Sequence, residues 1–214
     1  MTIAKSGQAI WLRNVLLRAF LKNGFAQTNG NKSWEITDLQ YLHLTPELCE
    51  GFLSFTRNPI YRKQFFELEV QMIRDQAGLI SETIGDKPFN LIDIYCGDGL
   101  KAVELIKEFN SKTDSSVKIR YCPLNASQSL IDLAISNVKK AGFSNVVDFR
   151  SYLSSGDSHS LRLLANSLKS DGFDKNVVVL LGGVIACFEI NEYLFELQRD
   201  MHKDDILIIG NGVR

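Results

Sequence analysis

A chain of 214 residues has room for one medium domain, or one core with a helical extension, and excludes two large independent units. Apolar residues make up 45% and charged residues 23%, a balance that excludes a disordered chain. A formal net charge of -1 without a long Lys/Arg run gives no electrostatic footprint for nucleic acid or an anionic membrane surface. No stretch approaches the roughly 18 apolar residues of a membrane span, and Met1 to Lys5 lacks the pattern of a secretory signal, so the expected location is cytoplasmic. Cys49, Cys96, Cys122 and Cys187 are widely spaced and lack C-x-x-C pairs, so they read as reduced apolar fillers and no metal site is expected.

The chain divides near Gly85, into an N-terminal helical region, 1–85, and an alternating strand and helix region, 86–214. Leu12, Leu16, Ala19 and Phe20 mark one amphipathic helix, and the polar stretch from Asn23 to Ser33 reads as a loop. Thr45-Pro46-Glu47 supplies an N-cap, a first-turn proline and an early acid, so a short helix is predicted to about Phe55. Tyr61, Arg62 and Lys63 read as the solvated start of a longer helix. The stripe Phe65, Leu68, Met72, Leu79 and Ile80 is expected to pack that helix on the sheet.

From Phe89 the pattern changes to short β-branched runs separated by amphipathic helices, the signature of βαβ units around a parallel sheet. Five strands are predicted: 90–95, 117–122, 146–149, 177–181 and 206–209. Ser127 and Asn191 stand where helix N-caps belong, and Gly142 where a helix should stop. The fold class is therefore α/β, a Rossmann-like core with a mostly parallel sheet of about five strands and an N-terminal helical extension.

In such a sheet a ligand sits beyond the carboxyl ends of the strands, so the residues after the first, second and fourth strands carry the chemistry. After the first comes Asp93-Ile-Tyr-Cys-Gly-Asp-Gly99, where Gly97 and Gly99 admit a tight turn and close ligand approach, and Asp93 and Asp98 offer carboxylates to a cationic group. Gly97-x-Gly99-x-x-Ala102 also fits a relaxed dinucleotide fingerprint, but Asn125 stands where a ribose-binding acid belongs. A nicotinamide-dependent oxidoreductase is thus the rival reading. His43, His159 and His202 lie in unrelated segments and suggest no triad.

Four segments, Asp93 to Lys101, Pro123 to Ser127, Asp148-Phe149 and Leu181 to Phe188, together with Tyr61-Arg62 and the helix through Glu69, resemble successive motifs of the histidine-specific methyltransferase-like family, known for trimethylating histidine in ergothioneine biosynthesis. The resemblance runs from about Asn58 to the C-terminus. It implies a class I methyltransferase core that binds S-adenosyl-L-methionine and methylates a small molecule, an amino acid or its derivative. By that resemblance Gly97, Asp98, Gly99 and Lys101 surround the methionine part of the cofactor, Asn125 its ribose, and Asp148 and Phe149 its adenine, and Gly182 and Gly183 line the transfer pocket. Tyr61, at the start of its helix, is the candidate to border a substrate opening. Tyr95 stands where the family has a glycine, with a ring that either crowds the cofactor or stacks against it, and Gly182 to Phe188 lacks the family's polar Thr and Asn. Methyl transfer asks mainly for proximity and orientation, so no catalytic base is named. The chain ends at Arg214, just after the fifth strand, where such cores add an antiparallel hairpin. The expectation is a shortened chain, or a homodimer or partner subunit covering the sheet edge. Tyr95 and Asn125 also motivate an alternative: a catalytically inactive methyltransferase-like subunit acting in dimerisation or partner binding.

Overall fold

The computed structural model describes residues 26–28, 31–33, 46–113, 116–154 and 158–210. The predicted helix of Leu12 to Phe20 and the cap residue Thr45 lie outside them. The stretch expected as a loop contains instead a small antiparallel pair of strands, β1 (Ala26–Thr28) and β2 (Asn31–Ser33), with Thr28 paired to Asn31. Asn and Gly residues, read as loop formers, are also the residues that tight hairpin turns select.

Helix α1 (Pro46–Arg57) docks on the core by burying Cys49 and Leu53 against Leu130. A second helical run follows as α2 (Pro59–Tyr61), a π-helical turn (Arg62–Phe66), α3 (Glu67–Asp75) and α4 (Ala77–Ile84). Asn58 starts it, its side chain accepting from Ile60 N at 2.9 Å while Pro59 occupies the first turn. Most of the expected stripe does not face the sheet: Phe65, Leu68, Met72 and Leu79 are exposed, Ile80 alone of the five packs on the core, and Val70, Ile73, Ala77 and Ile84 are buried as well. The π turn inserts a residue into the helical register and the run breaks again at Gln76, so a stripe extrapolated at constant period points to the wrong side.

The core strands are β3 (Phe89–Ile94), β4 (Ile119–Asn125), β5 (Val146–Phe149), β6 (Tyr152–Leu153), β7 (Lys175–Leu180) and β8 (Ile206–Ile209). All pair in parallel in the order β5-β4-β3-β7-β8, and β6 continues the line of β5 along β4. Counting β5 and β6 as one interrupted strand, the order is 3-2-1-4-5, the Rossmann-like arrangement whose chain direction switches sides between β3 and β7. The sixth strand, missed in the sequence, is two residues long and reached through a break at Arg150 and Ser151.

Side chains alternate across the sheet with period two. Phe89, Leu91, Tyr121, Val177 and Val179 face α5 (Leu100–Lys112) and α6 (Gln128–Lys140). Ile92, Ile94, Cys122, Val178 and Leu180 face α7 (Ser158–Leu168) and α8 (Ile190–Asp200). Burial on both faces explains why these strands read as continuous apolar runs. Gly142 ends α6 at φ +70° as expected. Ser127 sits at the cap position of α6 but makes no cap bond; its hydroxyl meets Cys49 Sγ at 3.0 Å and Ser129 Oγ at 2.9 Å. Asn191 lies inside α8, whose cap position is Glu189. Among the described residues no helix is long and apolar enough to cross a membrane.

Candidate active site

The turn after β3 is built from left-handed residues: Tyr95 at φ +54°, Gly97 at φ +54° and Gly99 at φ +74°. Gly99 N donates to Cys96 O at 2.8 Å, Asp98 Oδ1 accepts from Leu100 N at 3.1 Å, and Asn137 of α6 donates to Asp98 O at 2.8 Å. A Cβ on Gly99 would stand 2.8 Å from Ala134 Cα, so this glycine is demanded by helix packing as well as by backbone conformation. Tyr95 holds a left-handed conformation that favours glycine; its ring packs edge-on to Phe188, which stacks on Tyr193.

Beyond the carboxyl ends of β3 and β7, at the switch point, lies a cavity of about 190 Å³. The core side contributes Asp93, Tyr95, Gly97, Asp98 and Lys101, with Gly182 and Gly183 from the loop after β7. The helical region closes the other side with Phe52, Thr56, Tyr61, Arg62 and Phe66. Gly182 and Gly183 have φ values of +85° and +73°, so their backbone is presented to the cavity without side chains.

Asp93 is 4% exposed and accepts a 2.7 Å hydrogen bond from the Tyr121 hydroxyl, which reaches diagonally across the β3–β4 ladder. Burial raises the Asp93 carboxyl to about 7, a rise that the Tyr121 hydrogen bond and the Lys101 charge only partly oppose. The same burial, with the Asp93 charge adding to it, pushes the Tyr121 hydroxyl well up, so the tyrosine stays a donor. Burial likewise raises the Cys96 thiol, reinforced by Asp93 and Asp98, and makes it a filler.

Lys101 pairs with Glu69 of α3, and the other oxygen of that carboxylate accepts from Gly182 N. Glu69 thus ties the helical region to α5 and to the loop after β7. Sequence reasoning carried this residue only as part of a helix. A charged residue between Leu68 and Val70 reads as an exposed position unless the π turn is known.

Of the residues singled out in the sequence, Tyr61, Asp93, Tyr95, Gly97, Asp98, Lys101, Gly182 and Gly183 come together on this cavity, and Gly99 packs beneath the turn. Three do not. Asn125 is fully buried, its Oδ1 accepting from Ser127 N at 3.0 Å. Asp148 pairs in register with Arg120 at the start of β4, far from the carboxyl ends, and takes the Arg120 and Arg150 guanidinium groups at 2.9 and 3.1 Å. Burial pushes the Asp148 carboxyl up, but the Phe149 N–H and Arg150 outweigh it and hold it below the ordinary range. Phe149 packs edge-on to Tyr121 under Lys139. The carboxyl end of this strand position belongs to β6, displaced by the break the sequence did not reveal.

The strand order and the glycine turn after the first strand define the fold. It is a Rossmann-like α/β core with a parallel sheet. No protein-family model matches the chain, and no curated protein matches it. A SAM-dependent methyltransferase from Aquifex aeolicus, known from a crystal structure, is similar at 14% identity and a TM-score of 0.33, over 67% of this chain and 65% of that one. The match therefore spans slightly less than two thirds of the length of that protein.

Proposed function

We propose that this domain is an S-adenosyl-L-methionine-dependent methyltransferase acting on a small molecule, an amino acid or its derivative, as the histidine-specific methyltransferase-like motifs suggest. The observation that carries the reading is the cavity at the switch point, where a left-handed glycine turn, the Asp93 carboxyl and the Lys101 ammonium meet. These residues fit the amino-acid end of that cofactor: carboxylates for its ammonium, cations for its carboxylate, and bare backbone at Gly97, Gly182 and Gly183 for close approach. When bound, the cofactor supplies an activated methyl group. The chain's own part is to hold an acceptor beside it: Tyr61, Phe52 and Phe66 form a wall that excludes water, and proximity and orientation provide the rate.

A second reading, an inactive partner-binding subunit, is favoured by Tyr95 and Asn125. The Tyr95 ring fills part of the space a glycine would leave, the Asn125 side chain is buried, and 190 Å³ falls below the ~300 Å³ at which ligand pockets begin. The free edge of β8 among the described residues, with Ile209, Met72 and Leu79 exposed, supports a partner or second copy there. Calorimetric titration with S-adenosylmethionine separates the two: saturable binding supports the enzyme, and no heat at millimolar cofactor leaves the partner-binding subunit. NAD in the same instrument tests the oxidoreductase rival, and a strictly monomeric solution mass at high concentration counts against the dimer.

A further inference from the structure

The cations on the cavity are not equivalent. The Lys101 ammonium is matched by Glu69, so its charge is already balanced by the protein. Arg62 has no carboxylate partner among the described residues: its guanidinium carbon lies 4.5 Å from the centre of the Phe66 ring, and Phe66 lines the same cavity. Stacking occupies the flat face of a guanidinium and leaves its N–H groups free at the edge, the arrangement suited to a two-pronged grip on a carboxylate. The position is set by the fold. Asn58 and Pro59 fix the start of the helical run, and Arg62 opens the π-helical turn, a distortion that recurs at functional sites. Across the cavity Asp93 and Asp98 offer oxygens of the opposite sign.

We propose that Arg62 is the carboxylate-binding residue of this cavity, gripping the carboxylate of a zwitterionic amino-acid moiety whose ammonium faces Asp93 and Asp98. The inference deepens the methyltransferase reading and rests on it for the identity of the ligand. The carboxylate is either that of the cofactor's methionine moiety or that of an amino-acid acceptor. Lys101, held by Glu69, then shapes the wall instead of providing the main anion contact.

Calorimetry on the full chain decides, with wild type, Arg62→Met and Arg62→Lys titrated with S-adenosylmethionine, with its decarboxylated form, and with L-methionine and L-histidine in the presence of S-adenosylhomocysteine. Met preserves the apolar cover of Phe66. The expected result is at least a tenfold loss of affinity in Arg62→Met for a carboxylate-bearing probe, an effect within twofold on decarboxylated S-adenosylmethionine, and partial recovery in Arg62→Lys. Loss with S-adenosylmethionine identifies the cofactor as the source; unchanged cofactor affinity with loss of a free amino acid identifies the acceptor. Equal losses for the carboxylate and decarboxylated forms, or no loss for any carboxylate, overturn the inference. If wild type ignores S-adenosylmethionine yet binds an amino acid through Arg62, the cofactor reading falls and this one stands. If wild type binds no probe, both fall.

Discussion

Tyr121 donates to the Asp93 carboxyl at 2.7 Å, and both groups are enclosed between β3 and β4 on the face that meets α5 and α6. The bond puts a hydroxyl against an acid that burial makes reluctant to ionise, so Asp93 changes charge near neutrality. Native Asp93 keeps its proton up to about pH 7, whereas the unfolded chain releases it near 3.8, so the folded state binds more protons throughout that window. Stability therefore falls as pH rises from 4 to 7, by roughly 4 kcal/mol at the full shift. Asp93→Asn keeps the acceptor for Tyr121 and removes the titration. Thermal melts between pH 5 and 8 should show a flatter profile in the variant, and parallel profiles would place the titration elsewhere. A cationic ligand prefers the ionised form, so its affinity in wild type should rise through pH 7.

Glycines on the two sides of the cavity should respond differently. Alanine at Gly99 meets the backbone of α6 and must also hold φ +74°, so Gly99→Ala should cost about 2–4 kcal/mol, read from the midpoint of chemical denaturation. At Gly182 the nearest atom is the flexible end of Lys101, which can move aside. Gly182→Ala should then cost only about 1 kcal/mol, the penalty of its left-handed backbone. A ligand-affinity loss at Gly182 with near-normal stability marks the cavity; equal destabilisation at both positions would contradict the packing difference.

The alternation of strand and helix, and hence the sheet, was legible because both faces of β3, β4 and β7 are buried and their apolar runs are unbroken. The glycine turn was legible for a local reason: the left-handed positions at 97 and 99 favour residues without Cβ, although Tyr95 holds the same conformation with one. What was not legible depends on irregularity. The π turn at Arg62–Phe66 rotates Glu69 inward and leaves Leu68 outward, against the expected stripe, and the break at Arg150 and Ser151 moves the carboxyl end of the third strand position past Asp148 and Phe149. Period-based reading propagates register and so fails beyond each such point.

Glu69 and Lys101 should be energetically coupled. Glu69→Leu leaves the Lys101 ammonium and Gly182 N without their acceptor in a largely enclosed position, and the expected loss is about 2 kcal/mol. Lys101→Met in the same background should restore part of it. A double-mutant cycle giving additive effects would show that the pair does not hold α3 to the core.

Asp148 should prove structural. Arg120 is 2% exposed, donates to Asp148 and to Leu168 O at 3.1 Å, and lies over the Phe173 ring at 4.1 Å, so removing its carboxylate leaves an enclosed cation short of charge. Asp148→Asn is expected to lower stability by about 1–2 kcal/mol while leaving S-adenosylmethionine affinity unchanged. A selective loss of cofactor affinity would return Asp148 to the adenine.

Tyr95 separates the two functional readings. Tyr95→Gly removes a left-handed conformation costing about 1 kcal/mol, and removes a ring that packs on Phe188 and lines the cavity, so the two stability effects oppose each other. The cavity, however, can only grow. If the fold retains a cofactor site that Tyr95 crowds, S-adenosylmethionine should bind Tyr95→Gly severalfold more tightly than wild type, measured by calorimetry on protein whose melting temperature is unchanged. If wild type binds and Tyr95→Gly binds more weakly, the ring is itself a cofactor contact. If neither binds, the enlarged turn still lacks what the nucleoside needs, and the buried Asn125 makes the partner-binding subunit the surviving reading.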